Sequence, residues 1–161
     1  MARLLIIWHS RTGGSEAMAQ AAAHAAAAET DTLSIRAEDA RPDDLLAANG
    51  YIFAAPENLA SLSGEMKAFF DRCYYPLLGQ IEGRPYAAMI CAGSDGEGAA
   101  WQIARIATGW RLKPVAEPLI VVTGAQSPDA IAAPKVIGGT DLARCRELGA
   151  LMGAGLAMGV F

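Results

Sequence analysis

Short apolar runs alternate with stretches of helical periodicity from one end of this chain to the other, and that alternation fixes the kind of fold it can adopt. Strands are expected at 3–8, 32–37, 51–55, 86–91 and 117–122. Helices are expected at 15–29, 64–78, 99–108 and 141–158, with a short helical turn at 42–48. Five strand–helix units in succession predict an α/β domain, a three-layer, doubly wound, five-stranded parallel sheet. Runs such as Leu4-Leu5-Ile6-Ile7 are continuously apolar, as strands covered on both faces must be. The 161 residues, 53% of them hydrophobic, suffice for one domain spanning 1–161. The helix at 64–78 has the cleanest period: Met66, Phe69, Phe70, Cys73, Tyr74 and Leu77 form a core-facing stripe. No internal repeat or linker interrupts the pattern.

In such a sheet ligands bind at the carboxyl ends of the strands, and three loops there are chemically unusual. The first is Trp8-His9-Ser10-Arg11-Thr12-Gly13-Gly14-Ser15, between a buried strand and a helix. Its glycines permit close backbone approach. Four hydroxyl or guanidinium groups (Ser10, Arg11, Thr12, Ser15) crowd a turn that needs one cap. With the free amides of a helix start, they make a candidate phosphate site. The alternative is a plain connection, with Ser15 as N-cap and Glu16 favoured by the helix dipole. The loop lacks the G-x-x-x-x-G-K-[ST] of a nucleoside-triphosphate loop, the G-x-G-x-x-G of a dinucleotide fold, and the cysteine of a thiol phosphatase. The second loop is Ala55-Pro56-Glu57-Asn58-Leu59-Ala60-Ser61-Leu62-Ser63-Gly64. The third is Ala92-Gly93-Ser94-Asp95-Gly96-Glu97-Gly98, whose spaced glycines let amides lie against a flat ligand.

Composition narrows the partners. A formal net charge of −4 without a basic cluster argues against nucleic acid. Residues 148–161 carry no charge, but they are too few and too rich in glycine to span a membrane. No signal peptide is apparent, and Cys73, Cys91 and Cys145 form no C-x-x-C pair. The expectation is a cytoplasmic protein with core thiols, no disulfide and no metal site. A response regulator would need acids at the strand ends, where this chain has Trp8-His9 and Ala55-Pro56.

The first loop resembles the flavodoxin signature, an apolar strand followed by [ST]-x-T-G-x-[ST]. The stretch from Tyr51 to Asn58, continued by Ser63-Gly64-Glu65-Met66-Lys67-Ala68-Phe69-Phe70-Asp71-Arg72, looks like the flavodoxin-like NAD(P)H-dependent FMN and quinone reductases. That resemblance covers the whole chain in element order and implies a flavodoxin-like strand order, 2-1-3-4-5. It implies FMN as cofactor. Ser10, Arg11, Thr12, Gly13, Gly14 and Ser15 would lie around the phosphate, Pro56, Glu57, Asn58 and Leu59 along the ring, and Gly93, Ser94, Asp95 and Gly96 on the other side. The first loop departs from the G-S-x-R-x-x-S form of the dedicated flavin reductases. Neither ring loop contains Trp, Tyr or Phe, so one flavin face is left open to a hydride donor. The implied function is an NAD(P)H-dependent oxidoreductase passing electrons through FMN to a quinone or other small acceptor. The alternatives are an electron carrier serving a redox partner protein and an FMN-binding module without turnover. Glu57 is the one titratable group expected near the ring, no acid or base residue is assigned, and Tyr74-Tyr75-Pro76 is a possible homodimer contact.

Overall fold

The computed structural model describes residues 1–161. Its long strands are β1 (Arg3–Trp8), β2 (Asp31–Arg36), β3 (Gly50–Asn58), β5 (Pro85–Ala92) and β7 (Leu119–Val122). Two-residue strands β4 (Ser61–Leu62) and β6 (Lys113–Pro114) supplement them. The helices are α1 (Gly14–Ala26), α2 (Pro42–Leu46), α3 (Gly64–Leu77), α4 (Glu97–Gly109), α5 (Pro128–Ala132) and α6 (Gly139–Met158). The parallel order is β2-β1-β3-β5, and both β6 and β7 pair with β5. β6 meets Pro85 and Tyr86, whereas β7 meets Met89 to Ala92. The expected fifth strand is therefore an edge strand broken in two. Pro114 and Pro118 bracket the break, and proline, lacking an N–H, is well tolerated at such an edge.

The period of two along each strand sorts the core into two layers. Leu5, Ile7, Tyr51, Phe53 and Ala55 face α3 and α4, meeting Met66, Phe69, Phe70, Ile103 and Trp110. Leu4, Ile6, Ile52 and Ala54 face α1 and α6, meeting Met18, Ala22, Cys145, Leu148 and Met152. Phe53 stacks edge-on against Phe70 with ring centroids 5.1 Å apart. Within the α3 stripe, Tyr74 departs from the expected burial. It lies at the rim, 44% exposed, against Tyr75. All three cysteines are free and buried, and burial pushes the Cys145 thiol up to about 11.

Two departures from the expected elements bear on function. β3 runs on to Asn58 and folds back through β4, pairing Glu57 with Leu62 and Asn58 with Ser61, so the second loop is a hairpin. The segment between β7 and α6 contains α5, which no periodicity announced, because a five-residue helix has no repeat to read.

The alanine-rich α1 packs on α6 through their backbones. A Cβ on Gly149 would run into the Ala22 carbonyl, and one on Gly153 would lie 3.0 Å from the Ala26 oxygen. In an ordinary helix Gly→Ala stabilises by up to about 1 kcal/mol. Here Gly149→Ala is expected to destabilise by about 1–3 kcal/mol through overpacking. Urea unfolding of the variant beside the wild type checks the sign.

Candidate functional site

Pairing brings the three strand ends level. β1 lies beside β3 with Trp8 opposite Ala54, and β3 lies beside β5 with Pro56 opposite Cys91. One further bond, His9 N–H to the Ala54 carbonyl at 3.0 Å, carries the pairing into the first loop. Ser10 Oγ accepts from Gly13 N–H at 2.9 Å and closes the turn. Gly13, at φ 97°, sits in the left-handed region as the N-cap of α1, and no side chain caps the helix. The alternative of Ser15 as cap is thus corrected. Ser15 lies inside the helix, 2% exposed, and its Oγ has no hydrogen-bond partner. The first-turn amides likewise lack acceptors within the helix. A buried orphan hydroxyl beside a glycine helix start is what a phosphate oxygen would satisfy, so the donor set fits a phosphomonoester.

Arg11 is turned to α3, where its guanidinium donates to both Glu65 oxygens at 2.8 and 2.9 Å. Beneath it His9, buried, places Nδ1 2.9 Å from Ser63 Oγ, itself 1% exposed. Its Nε2 lies 3.5 Å from Glu65 and 3.7 Å from Glu38. Burial holds the His9 pKa below 6.5. The Glu65 and Glu38 carboxylates oppose that shift, and Arg11 and Arg36 reinforce it. Glu65 is held below 4.5 by its own backbone N–H at the start of α3, aided by Arg11. Together these groups pin the first loop to α3, a contact the sequence reading missed.

Glu57 does not face the site as a free carboxylate. It accepts from Gly96 N–H at 2.8 Å and Ala99 N–H at 3.0 Å, capping α4 from another strand. The hairpin turn between Asn58 and Ser61 places Leu59 and Ala60 at φ 53° and 60°, a strained choice for residues other than glycine. Gly98 leaves no room for a Cβ against the Ala60 carbonyl, so α4 sits directly on this turn.

Arg11, Thr12, Pro56, Glu57, Asn58 and Gly93 meet in one cleft of about 120 Å³, completed by Cys91, Ala92, Thr123, Ala125, Ile131 and Lys135. Of the first loop's expected phosphate residues, Ser10, Gly13, Gly14 and Ser15 lie outside its lining, as do fully exposed Leu59, exposed Ser94 and Asp95, and buried Gly96. The sequence reading missed Lys135 altogether. Its N–H donates to the Thr12 carbonyl at 2.8 Å, and its Nζ lies 3.3 Å from Thr12 Oγ1.

The buried neutral His9 has a pH consequence. A group whose pKa is lower folded than unfolded stabilises above its unfolded value and loses that contribution as pH falls through the folded one. Stability is therefore expected to drop on acidification below about 6.5. The His9→Asn variant, with a non-titrating nitrogen near the Nδ1 position, should lack that step. Thermal melts of both proteins at a series of pH values check that their difference changes in this window.

The layered sheet is that of flavodoxin-like proteins. The fold superposes on a flavodoxin from the domain Archaea with TM-score 0.78 and 18% identity, covering 96% of this chain and 98% of that one. It matches the flavodoxin WrbA-like protein from Agrobacterium tumefaciens equally well, with TM-score 0.78, 18% identity and 99% of each chain. In sequence, residues 42–126 match the family model described as NADPH-dependent FMN reductase. The chain belongs to that family, a flavodoxin-like FMN-binding one. The match starts beyond the first loop, the part that departs from the dedicated reductases. A flavodoxin of Aquifex aeolicus (strain VF5) is 32% identical over 100 residues, 61% of this chain and 54% of that protein, so the match spans about half of the relative's length. No helix is long and apolar enough to cross a membrane.

Proposed function

We propose that the chain binds one FMN across the three strand-end loops and uses it to pass reducing equivalents from NADH or NADPH to a quinone or another small acceptor. The observation that carries the proposal is the first loop: a left-handed Gly13, an uncapped helix start and a buried, unpartnered Ser15 hydroxyl. Membership of a family described by NADPH and FMN supports it. When bound, the flavin supplies hydride acceptance and electron return. The protein contributes position. Gly93 and Thr12 both line the cleft, and the Glu57 cap fixes the third loop relative to the second. The absence of aromatics from residues 56–59 and 93–96 leaves a flavin face accessible to a nicotinamide, which needs reacting atoms ~3–3.5 Å apart.

The 32% identity to a flavodoxin favours a second reading, an electron carrier for a redox partner protein. Anaerobic mixing separates the two: an oxidoreductase loses its flavin absorption band on addition of NADH or NADPH, and a carrier keeps it. The same proposal includes a cytoplasmic setting and a homodimer through Tyr74 and Tyr75, of which Tyr75 is 78% exposed.

Thr12→Asp tests the cofactor reading at its phosphate end. The new carboxylate would occupy the anion position beside Lys135. Two like charges about 4 Å apart at an effective dielectric near 20 repel by roughly 4 kcal/mol, nearly three decades of affinity. FMN affinity is expected to collapse while riboflavin, without a phosphate, loses far less. Equal weakening of both flavins in fluorescence titrations would mean that residues 10–15 form only a turn.

A further inference from the structure

We propose that Lys135, on the 123–138 segment between β7 and α6, is the cation that recognises the phosphomonoester, and that this segment closes on residues 10–15 around it. The inference rests on the FMN reading above and adds a residue from outside the phosphate loop. Two cations reach the loop, and they differ in what balances them. Arg11 is neutralised by both oxygens of Glu65. Lys135 Nζ donates to the Ile131 carbonyl at 2.8 Å and the Ala133 carbonyl at 2.6 Å, and lies 3.3 Å from Thr12 Oγ1. All three partners are neutral, and no carboxylate forms an ion pair with it. Its hydrogen-bonding capacity is used, but its charge is not compensated.

The loop that Lys135 contacts at Thr12 leads into groups that lack an acceptor. The Ser15 hydroxyl has no partner, and the α1 amides need one. A phosphate dianion would satisfy both and exchange the long contact with Thr12 Oγ1 for a charge-assisted bond from Lys135, roughly twice as strong as a neutral one. The segment is built to reach the loop. A Cβ on Gly14 would meet Lys135 Cβ at 3.5 Å, and one on Gly13 would lie 3.9 Å from the Lys135 oxygen. With the segment so placed, the cleft holds about 120 Å³, against at least ~300 Å³ for a typical small-molecule site. Lifting of the segment would enlarge this open cleft for a nucleotide. Between 126 and 136 little apolar burial opposes that movement, Ile131 being 56% exposed and Val136 94%, whereas buried Ile137, in the core beside α6, anchors the segment's far end. One residue holds the segment to Thr12 through its N–H and its ammonium, so phosphate binding and closure are coupled at Lys135.

Fluorescence titrations of wild type, Lys135→Met and Lys135→Arg with FMN and with riboflavin test the proposal. Loss of a hydrogen bond to a charged group should weaken FMN in Lys135→Met by about tenfold or more, with riboflavin affinity unchanged. Lys135→Arg should retain most of the preference for FMN. Inorganic phosphate should displace FMN from wild type and do so less effectively from Lys135→Met. An equal loss of both flavins in Lys135→Met would assign the residue a structural role and overturn the proposal, as would unchanged FMN affinity. Wild-type protein that binds neither flavin would overturn the FMN reading itself, a result distinct from either.

Discussion

The parallel pairing of β1, β3 and β5 is the constraint on which the site depends. It aligns Trp8 with Ala54 and Pro56 with Cys91, so three loops distant in sequence leave the sheet side by side. A one-residue slip in either ladder would turn each side chain to the opposite face. Leu4 to Ile7 and Tyr51 to Ala55 are wholly buried on both faces, which makes such a slip expensive. Hydrophobic register therefore sets the geometry of a polar site.

The polar contacts then fix what the ladders align. His9 and Ser63 link the end of β1 to the start of α3, and Arg11 with Glu65 repeats the link at the surface. Glu57 links β3 to the start of α4. Two helix starts are thereby occupied by the protein's own carboxylates, Glu65 at α3 and Glu57 at α4. The start of α1 carries a glycine and no cap. The start of α6 is likewise uncapped, at Gly138, so what distinguishes α1 is the buried, unpartnered Ser15 hydroxyl in its first turn.

Features encoded by neighbouring residues were legible in the sequence. Strand and helix order, the strand-end loops and the flavodoxin-like likeness follow from patterns of a few to a dozen residues. The buried runs of β1 and β3 leave little freedom in where those loops emerge. Features encoded by distant pairs were not legible. Lys135 is 123 positions from Thr12. His9 and Ser63 are 54 apart, and Glu57 and Gly96 are 39 apart. A lone lysine in a segment without periodicity has no local signature, and an Arg at the loop itself is the more obvious cation. The broken edge strand was read as a single run at 117–122, because its first part is only Lys113–Pro114, too short to show a period.

The central claim is that the uncapped start of α1 and its two neighbouring loops form one ligand site. Mapping backbone amide chemical shifts by NMR during titration with FMN addresses it residue by residue. The account predicts the largest changes at Gly13, Gly14 and Ser15, with accompanying changes at 57–58, at 93–96 and in the segment carrying Lys135. Changes confined to the groove between α3 and α4, around Phe70, Tyr74 and Trp110, with the α1 amides unmoved, would contradict it.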